Sequence, residues 1–151
     1  MKKSFRYRFD RKTFIALIVL TTICLFVFAL NLGNLLGLKI YPYESISKVL
    51  FPTILSAVVA TFLVLIILLS KYDVESDFFK IRIMGIFVVK AIAYENISTI
   101  KLHRKEDMLI LFFLDKEIKQ YKMIPINITE KEEFVKAMKT KNSTIYYEEI
   151  D

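Results

Sequence analysis

The chain is poor in the residues that build most catalytic and metal sites. Its 151 residues hold one cysteine, Cys24, and one histidine, His103. A single thiol excludes an intramolecular disulfide framework, and one His beside one Cys leaves no multi-ligand zinc set. Of the three glycines, Gly33 and Gly37 fall in or beside a long apolar run, so no Gly-rich phosphate loop exists. His103 alternates onto the polar side of a strand beside Arg104 and Lys105, which predicts a surface residue rather than a general base. The acidic groups Asp73/Glu75/Asp77, Glu106/Asp107 and Glu130/Glu132/Glu133 read as turn, solvated face and helix start, and no nucleophile is paired with a base. No catalytic, cofactor-binding or metal-binding residues are expected, and the chain is not read as an enzyme.

Charge is also missing from a long interval. From Thr13 to Ser70 the only charged residues are Lys39, Glu44 and Lys48. Hydrophobic residues make up 55% of the chain and charged residues 25%, with a mean hydropathy of +0.45. Those figures agree only if the two kinds are segregated. Phe14–Leu36 and Val49–Leu69 are uncharged runs of 23 and 21 residues, each with 15 Leu, Ile, Val or Phe. As helices they reach about 34 and 31 Å, enough for a hydrocarbon core of about 30 Å. Their insertion is worth roughly −5 to −9 kcal/mol each on the translocon scale. The first run is too long for a signal-peptide core and lacks a small-residue cleavage site. A two-span hairpin over 14–70 is therefore expected, with spans at about 14–36 and 49–69 and an external loop at 37–48. Asn31, Gly33 and Asn34 sit near the end of the first span, where polar groups reach the interface. Ser56 and Ala60, four residues apart, offer a small-residue contact between helices.

Basic residues set the expected orientation. Six (Lys2, Lys3, Arg6, Arg8, Arg11, Lys12) precede the first run, two lie in the loop, and Lys71, Lys80 and Arg82 follow the second. The positive-inside rule then puts both termini in the cytoplasm of a multi-pass cell-membrane protein. Three Asn-x-Ser/Thr triplets, at Asn96, Asn127 and Asn142, argue the other way and are outweighed. Residues 1–13 are expected as a basic cytoplasmic segment, with the rings of Phe5-Arg-Tyr-Arg-Phe9 at headgroup level. Residues 71–151 carry 14 basic and 14 acidic residues, without the basic stripe that nucleic-acid binding needs. Possible anionic-lipid contacts are Lys80 and Arg82, which alternation places on one strand face, together with the six N-terminal basic residues.

Beyond Lys71 the pattern turns to period two. Strands are expected near 72–74, from Phe78 to Ile83 with Met84-Gly85 as punctuation, and at Ile86–Tyr94, Ile97–Arg104, Met108–Leu114 and Ile118–Ile126, with Pro125 marking a strand edge or end. Thr129-x-x-Glu132 predicts a capping box, and Phe134, Val135 and Met138 the apolar face of a closing helix.

The strand leading into Gly85, the Tyr94-Glu95-Asn96-Ile97-x-x-Ile100 segment and the closing Ile126-Asn-Ile-Thr-Glu-Lys-Glu-Glu-Phe134 resemble bacterial pleckstrin-homology-like (PH-like) domains. The layout as a whole is similar to the YyaB-like group, which has two N-terminal transmembrane helices. The resemblance implies a mainly β sandwich or open barrel capped by a C-terminal α-helix. Lys105-Glu106-Asp107 stands where such domains often carry a Ser/Leu/Arg-containing stretch. A membrane-anchored binding or scaffold module follows, recruiting an unidentified protein or sensing lipid at the cytoplasmic surface. Self-protection against a membrane-active peptide is the alternative by fold-level analogy.

Overall fold

Two helices, α1 at Arg11–Leu35 and α2 at Ile46–Leu69, open the computed structural model, which describes residues 2–43 and 45–151. Met1 and Glu44, parts of the expected N-terminal segment and loop, lie outside the described residues. Both helices are long and apolar enough to cross a membrane. α1 starts before the uncharged run because Asp10 caps it, its Oδ1 accepting the Thr13 N–H at 3.0 Å. The helices leave large apolar side chains uncovered, with Phe26 63% and Phe51 71% exposed. Their polar groups are satisfied locally. The hydroxyls of Thr21, Thr22, Thr53 and Thr61 donate to carbonyls four residues back at 2.6 to 2.9 Å.

The buried face of α2 runs Val49, Thr53, Ser56, Ala60 and Leu63, a three-four spacing that includes the expected small residues. Leu25 and Phe28 of α1 face Ala57, Ala60 and Thr61 across a shared cleft. The asparagines near the end of α1 do more than reach an interface. Asn34 is buried, and its Oδ1 accepts the N–H groups of Ile40 and Tyr41 at 2.6 and 3.2 Å. Its Nδ2 donates to the Tyr41 carbonyl, and the Tyr41 hydroxyl donates to Asn31 Oδ1. Gly33 keeps the close approach open, since a Cβ there would meet Ile40 Cδ1 at 2.5 Å.

The β unit departs from the sequence expectation at its first residues. The N-terminal segment through Phe9 joins Leu69–Asp151 in one compact unit, and Asp10–Leu68 forms the other. Lys3–Arg6 is strand β1, and it pairs antiparallel with β2 (Lys71–Val74). The expected detached basic segment is thus an element of the sheet, and Phe5 is core rather than an interface ring. The strand was hidden because Phe5-Arg-Tyr-Arg-Phe9 alternates aromatic and basic residues, a pattern that a membrane anchor shares with a half-buried edge strand.

The remaining strands are β3 (Phe78–Ile83), β4 (Phe87–Ala93), β5 (Ile97–His103), β6 (Met108–Asp115), β7 (Gln120–Ile126) and β8 (Tyr146–Ile150). They form two four-stranded sheets, β1-β2-β3-β4 and β7-β6-β5-β8, and helix α3 (Lys131–Lys141) precedes β8. Pro125 lies in the edge strand β7, where a residue without an N–H is tolerated. β7 starts two residues later than expected, because Lys119 takes a left-handed φ of 52° that closes a turn.

Two further differences concern the C-terminal part. The capping box does not form: the N-cap is Glu130, without a side-chain cap bond, and the Thr129 carbonyl accepts the Lys131 N–H at 3.1 Å. Thr129 lies one residue too early to cap, leaving Glu132 and Glu133 in the first turn to complement the helix dipole. β8 was not expected at all; it pairs parallel with β5 from Thr99↔Tyr146 to His103↔Ile150. Flanked there by β6 and β8, His103 is half-buried rather than open surface, and its Nδ1 has no hydrogen-bond partner.

The core is aromatic where β1, β2, β3 and α3 meet. Phe134 of α3 receives Phe5 edge-on at 5.3 Å and Phe79 at 5.7 Å between ring centroids. Tyr72 stacks between Phe79 and Tyr7, at 5.9 and 5.2 Å. Each edge-to-face pair adds about 0.5–1.5 kcal/mol beyond the area it buries. Phe134→Ala and Phe5→Ala are each expected to destabilise the β unit by about 3–5 kcal/mol. As contacting residues, their effects should couple by roughly 0.5–3 kcal/mol in a double-mutant cycle. Hydrogen exchange at β3 and α3 amides of the full chain measures this; unchanged protection in Phe5→Ala would detach β1 from the fold.

Candidate functional site

Alternation along β1, β2 and β3 sends Phe5, Tyr72 and Ile81 to one face and charged side chains to the other. The register aligns Ser4, Asp73 and Lys80 across the sheet, and beside them Arg6, Lys71 and Arg82. The result is a charged face with a carboxylate at its centre. Asp73 is 0% exposed although it lies on the face away from the core. Ser4 Oγ donates to its Oδ1 at 2.6 Å, and Arg82 Nε to its Oδ2 at 2.7 Å. Lys2 Nζ lies 3.0 Å from Oδ2 and Lys71 Nζ 3.9 Å from Oδ1. Burial pushes the Asp73 carboxyl up, but the hydrogen bonds from Ser4 and Lys2 and the charge of Lys71 more than offset it. The net shift is downward.

Glu75 is the second hub. Lys80 and Arg82 Nη2 donate to its two carboxylate oxygens, the latter at 3.0 Å, and Lys2 stands 3.2 Å away. Lys80 foremost, then Arg82 and Lys2, hold this carboxyl down at about 2, against an ordinary 4.5. The backbone beneath is fixed too. The Glu75 N–H donates to the Phe78 carbonyl at 3.1 Å, and the Tyr94 hydroxyl lies 2.9 Å from the Glu75 carbonyl and 3.0 Å from that of Phe78. Burial first, then the charge of Glu75, raises the Tyr94 hydroxyl to about 12, keeping it a donor.

The structure therefore brings together three of the expected lipid-contact residues, Lys80, Arg82 and Lys2, around two carboxylates. Lys3 pairs with Glu133 of α3 at 2.8 Å, and Arg8 with Asp107 at 3.3 Å. Arg6, Arg11 and Lys12 have no ion-pair partner among the described residues. The sequence reading gave Asp73 and Glu75 the role of turn residues. It missed that both neutralise the basic pair directly, because strand register rather than local periodicity brings them to Lys80 and Arg82. The β unit also gains Lys2, Lys3, Arg6 and Arg8, so the charge balance of residues 71–151 does not describe it.

A second feature is the groove beside α3, lined by Glu132, Val135, Lys136, Lys139, Tyr147 and Glu149. Among the described residues no group of three or more His, Cys, Asp or Glu is placed to hold a metal ion. Of the three Asn-x-Ser/Thr triplets, Asn142 has a structural role. Its Nδ2 donates to the Tyr94 carbonyl at 2.9 Å and its Oδ1 accepts from the Thr144 N–H at 3.0 Å. No protein-family model matches the sequence, and no curated protein or solved structure matches it.

Because the folded-state pKa of Glu75 is depressed, its stabilisation is present above pH 4.5 and is lost as the pH falls toward 2. Wild type should therefore exceed Glu75→Gln in stability at neutral pH, with the gap closing below pH 4.5. Denaturation of both proteins across that range checks this; a gap independent of pH would contradict the ion pairing.

Proposed function

We propose that this chain is a two-span cell-membrane protein holding a PH-like binding module at the cytoplasmic surface, where it recruits a protein partner. The observation that carries the reading is the pairing of β1 with β2. The chain leaves a sheet through α1 and returns to the same sheet through α2. For a hairpin crossing a bilayer, this supports placing residues before α1 and after α2 on one side. The six basic residues before the first run make that side the cytoplasm.

The exposed apolar surfaces of both helices support insertion, because a soluble protein rarely leaves such large apolar area open. Two sheets followed by α3 support the PH-like reading, with β1 and β8 as additions at one edge of each sheet. Recruitment of a protein rather than a headgroup is favoured by the charged face, whose Lys80 and Arg82 are engaged by Glu75 and Asp73. The groove between α3 and β8 offers mixed charge around Val135 and Tyr147, suited to a polypeptide.

In a Cys24→Ala background, Ser45→Cys should react with an impermeant thiol reagent on intact cells. Ser143→Cys and Lys3→Cys should react only after the cells are opened. Position 3 reacting from outside while 143 stays protected would break the reading at the β1–β2 pair. For recruitment, a photo-crosslinking residue at Lys136 should capture a discrete protein in cells, while one at Lys119 should not. Equal capture at both positions would remove the groove as the recruiting surface.

A further inference from the structure

The turn joining β3 to β4 is apolar, and apart from the buried Met84 its large side chains are uncovered. Met84 and Gly85 take left-handed φ values of 55° and 74°, turning the chain tightly between Ile83 and Phe87. Ile86 is 70% exposed, Phe87 58% and Val89 59%, with Ile83 and Val88 also open. A register shift opposite Ile81 and Arg82 leaves Val89 outside the pairing, as in a β-bulge. No packing need of the sheet explains this tip, since the core lies at Phe5, Tyr72, Phe79 and Phe134.

Chain continuity says what the tip meets. α2 ends at Leu69 and β2 begins at Lys71, with Ser70 alone between them. Lys71 pairs with Arg82, so the turn after β3 lies at the end of the sheet where α2 arrives. Gly85 is against that point: a Cβ on it would lie 3.5 Å from the Leu69 carbonyl oxygen. Leu69 is also the last residue of the apolar run. One step back from the tip, Arg6 and Lys71 align as a basic row with Arg82, which is itself engaged by Asp73 and Glu75. Apolar side chains beyond a basic row are the arrangement that suits the boundary between acyl chains and anionic headgroups.

We propose that the β3–β4 tip, Ile83 to Val89, is a second membrane contact, seated in the interface of the bilayer that α2 leaves, with Arg6 and Lys71 at the phosphate level. This rests on the two-span reading and adds to it. The tip then adds a lipid contact to the two chain connections, through α1 and α2, that already tie the sheet to the membrane.

The test uses the full chain with Cys24→Ala, reconstituted in vesicles of phosphatidylcholine and phosphatidylglycerol. Single cysteines at Ile86, Phe87, Phe26 and Tyr121 each carry an environment-sensitive fluorophore. Nitroxide phospholipids quench either near the headgroup or deep in the chains. Labels at Ile86 and Phe87 should shift to the blue and lose emission to the shallow nitroxide. The label at Phe26 should be quenched by the deep one, and that at Tyr121, on the edge strand β7 of the other sheet, by neither. Quenching at Phe26 with positions 86 and 87 behaving like 121 overturns the tip contact and leaves the two-span reading standing. No quenching at Phe26 overturns the two-span reading and the tip contact with it. Quenching at Tyr121 equal to that at Ile86 shows a domain lying flat on lipid and overturns the tip as the specific contact.

Discussion

The antiparallel pairing of Lys3–Arg6 with Lys71–Val74 is the constraint on which the rest of the molecule depends. It makes a helical hairpin of almost sixty residues an insertion within one β-sheet rather than a leader in front of a domain. The connection from α2 to β2 is one residue long, so the return into the sheet leaves almost no slack. Closing such a long loop is entropically unfavourable, though the loss grows only slowly with length. A helical hairpin folded first would reduce it further, because the two ends would already be brought near each other.

β1 is short, and four residues of ladder would not hold it alone. Side chains on both faces supply the rest. Inward, Phe5 closes the aromatic group around Phe134, so that β1, β3 and α3 share one packing problem. Outward, Ser4 and Lys2 complete the shell of Asp73, a carboxylate with no solvent exposure of its own. Removing any one partner would leave a buried charge less well matched, which is more destabilising than an exposed ion pair is stabilising. A chain beginning at Lys71 would lack both halves of this arrangement.

The same charged face bears on function. Its basic groups are largely consumed by Asp73 and Glu75, which turns an apparent phosphate-binding pair into a strut across β2 and β3. What faces the bilayer in the proposed arrangement is the end of the sheet rather than its charged face. There Arg6 and Lys71 stand behind an apolar turn. The groove beside α3 is a separate surface, built from the helix and the strand that follows it.

Much of the local structure was legible in the residues. Uncharged runs of more than twenty residues leave few alternatives to long apolar helices. Strict alternation at Phe79–Arg82 and the continuous apolar Met108–Leu114 marked strands, because period two is a local property of the backbone. Phe134, Val135 and Met138 identified the inner face of α3 for the same reason. Three things needed the tertiary structure. Phe5 and Tyr7 among arginines look alike whether they lie in lipid headgroups or in an edge strand, and only the partner strand some seventy residues away decides between them. Tyr146–Ile150 carries two adjacent glutamates and no clean alternation, so its pairing with β5 is invisible until β5 is in place. Lys80 and Arg82 are the third case. The sequence alone put them on one face, but whether that face binds phosphate or closes on Asp73 and Glu75 depends on charges brought together by strand register, which local periodicity does not encode.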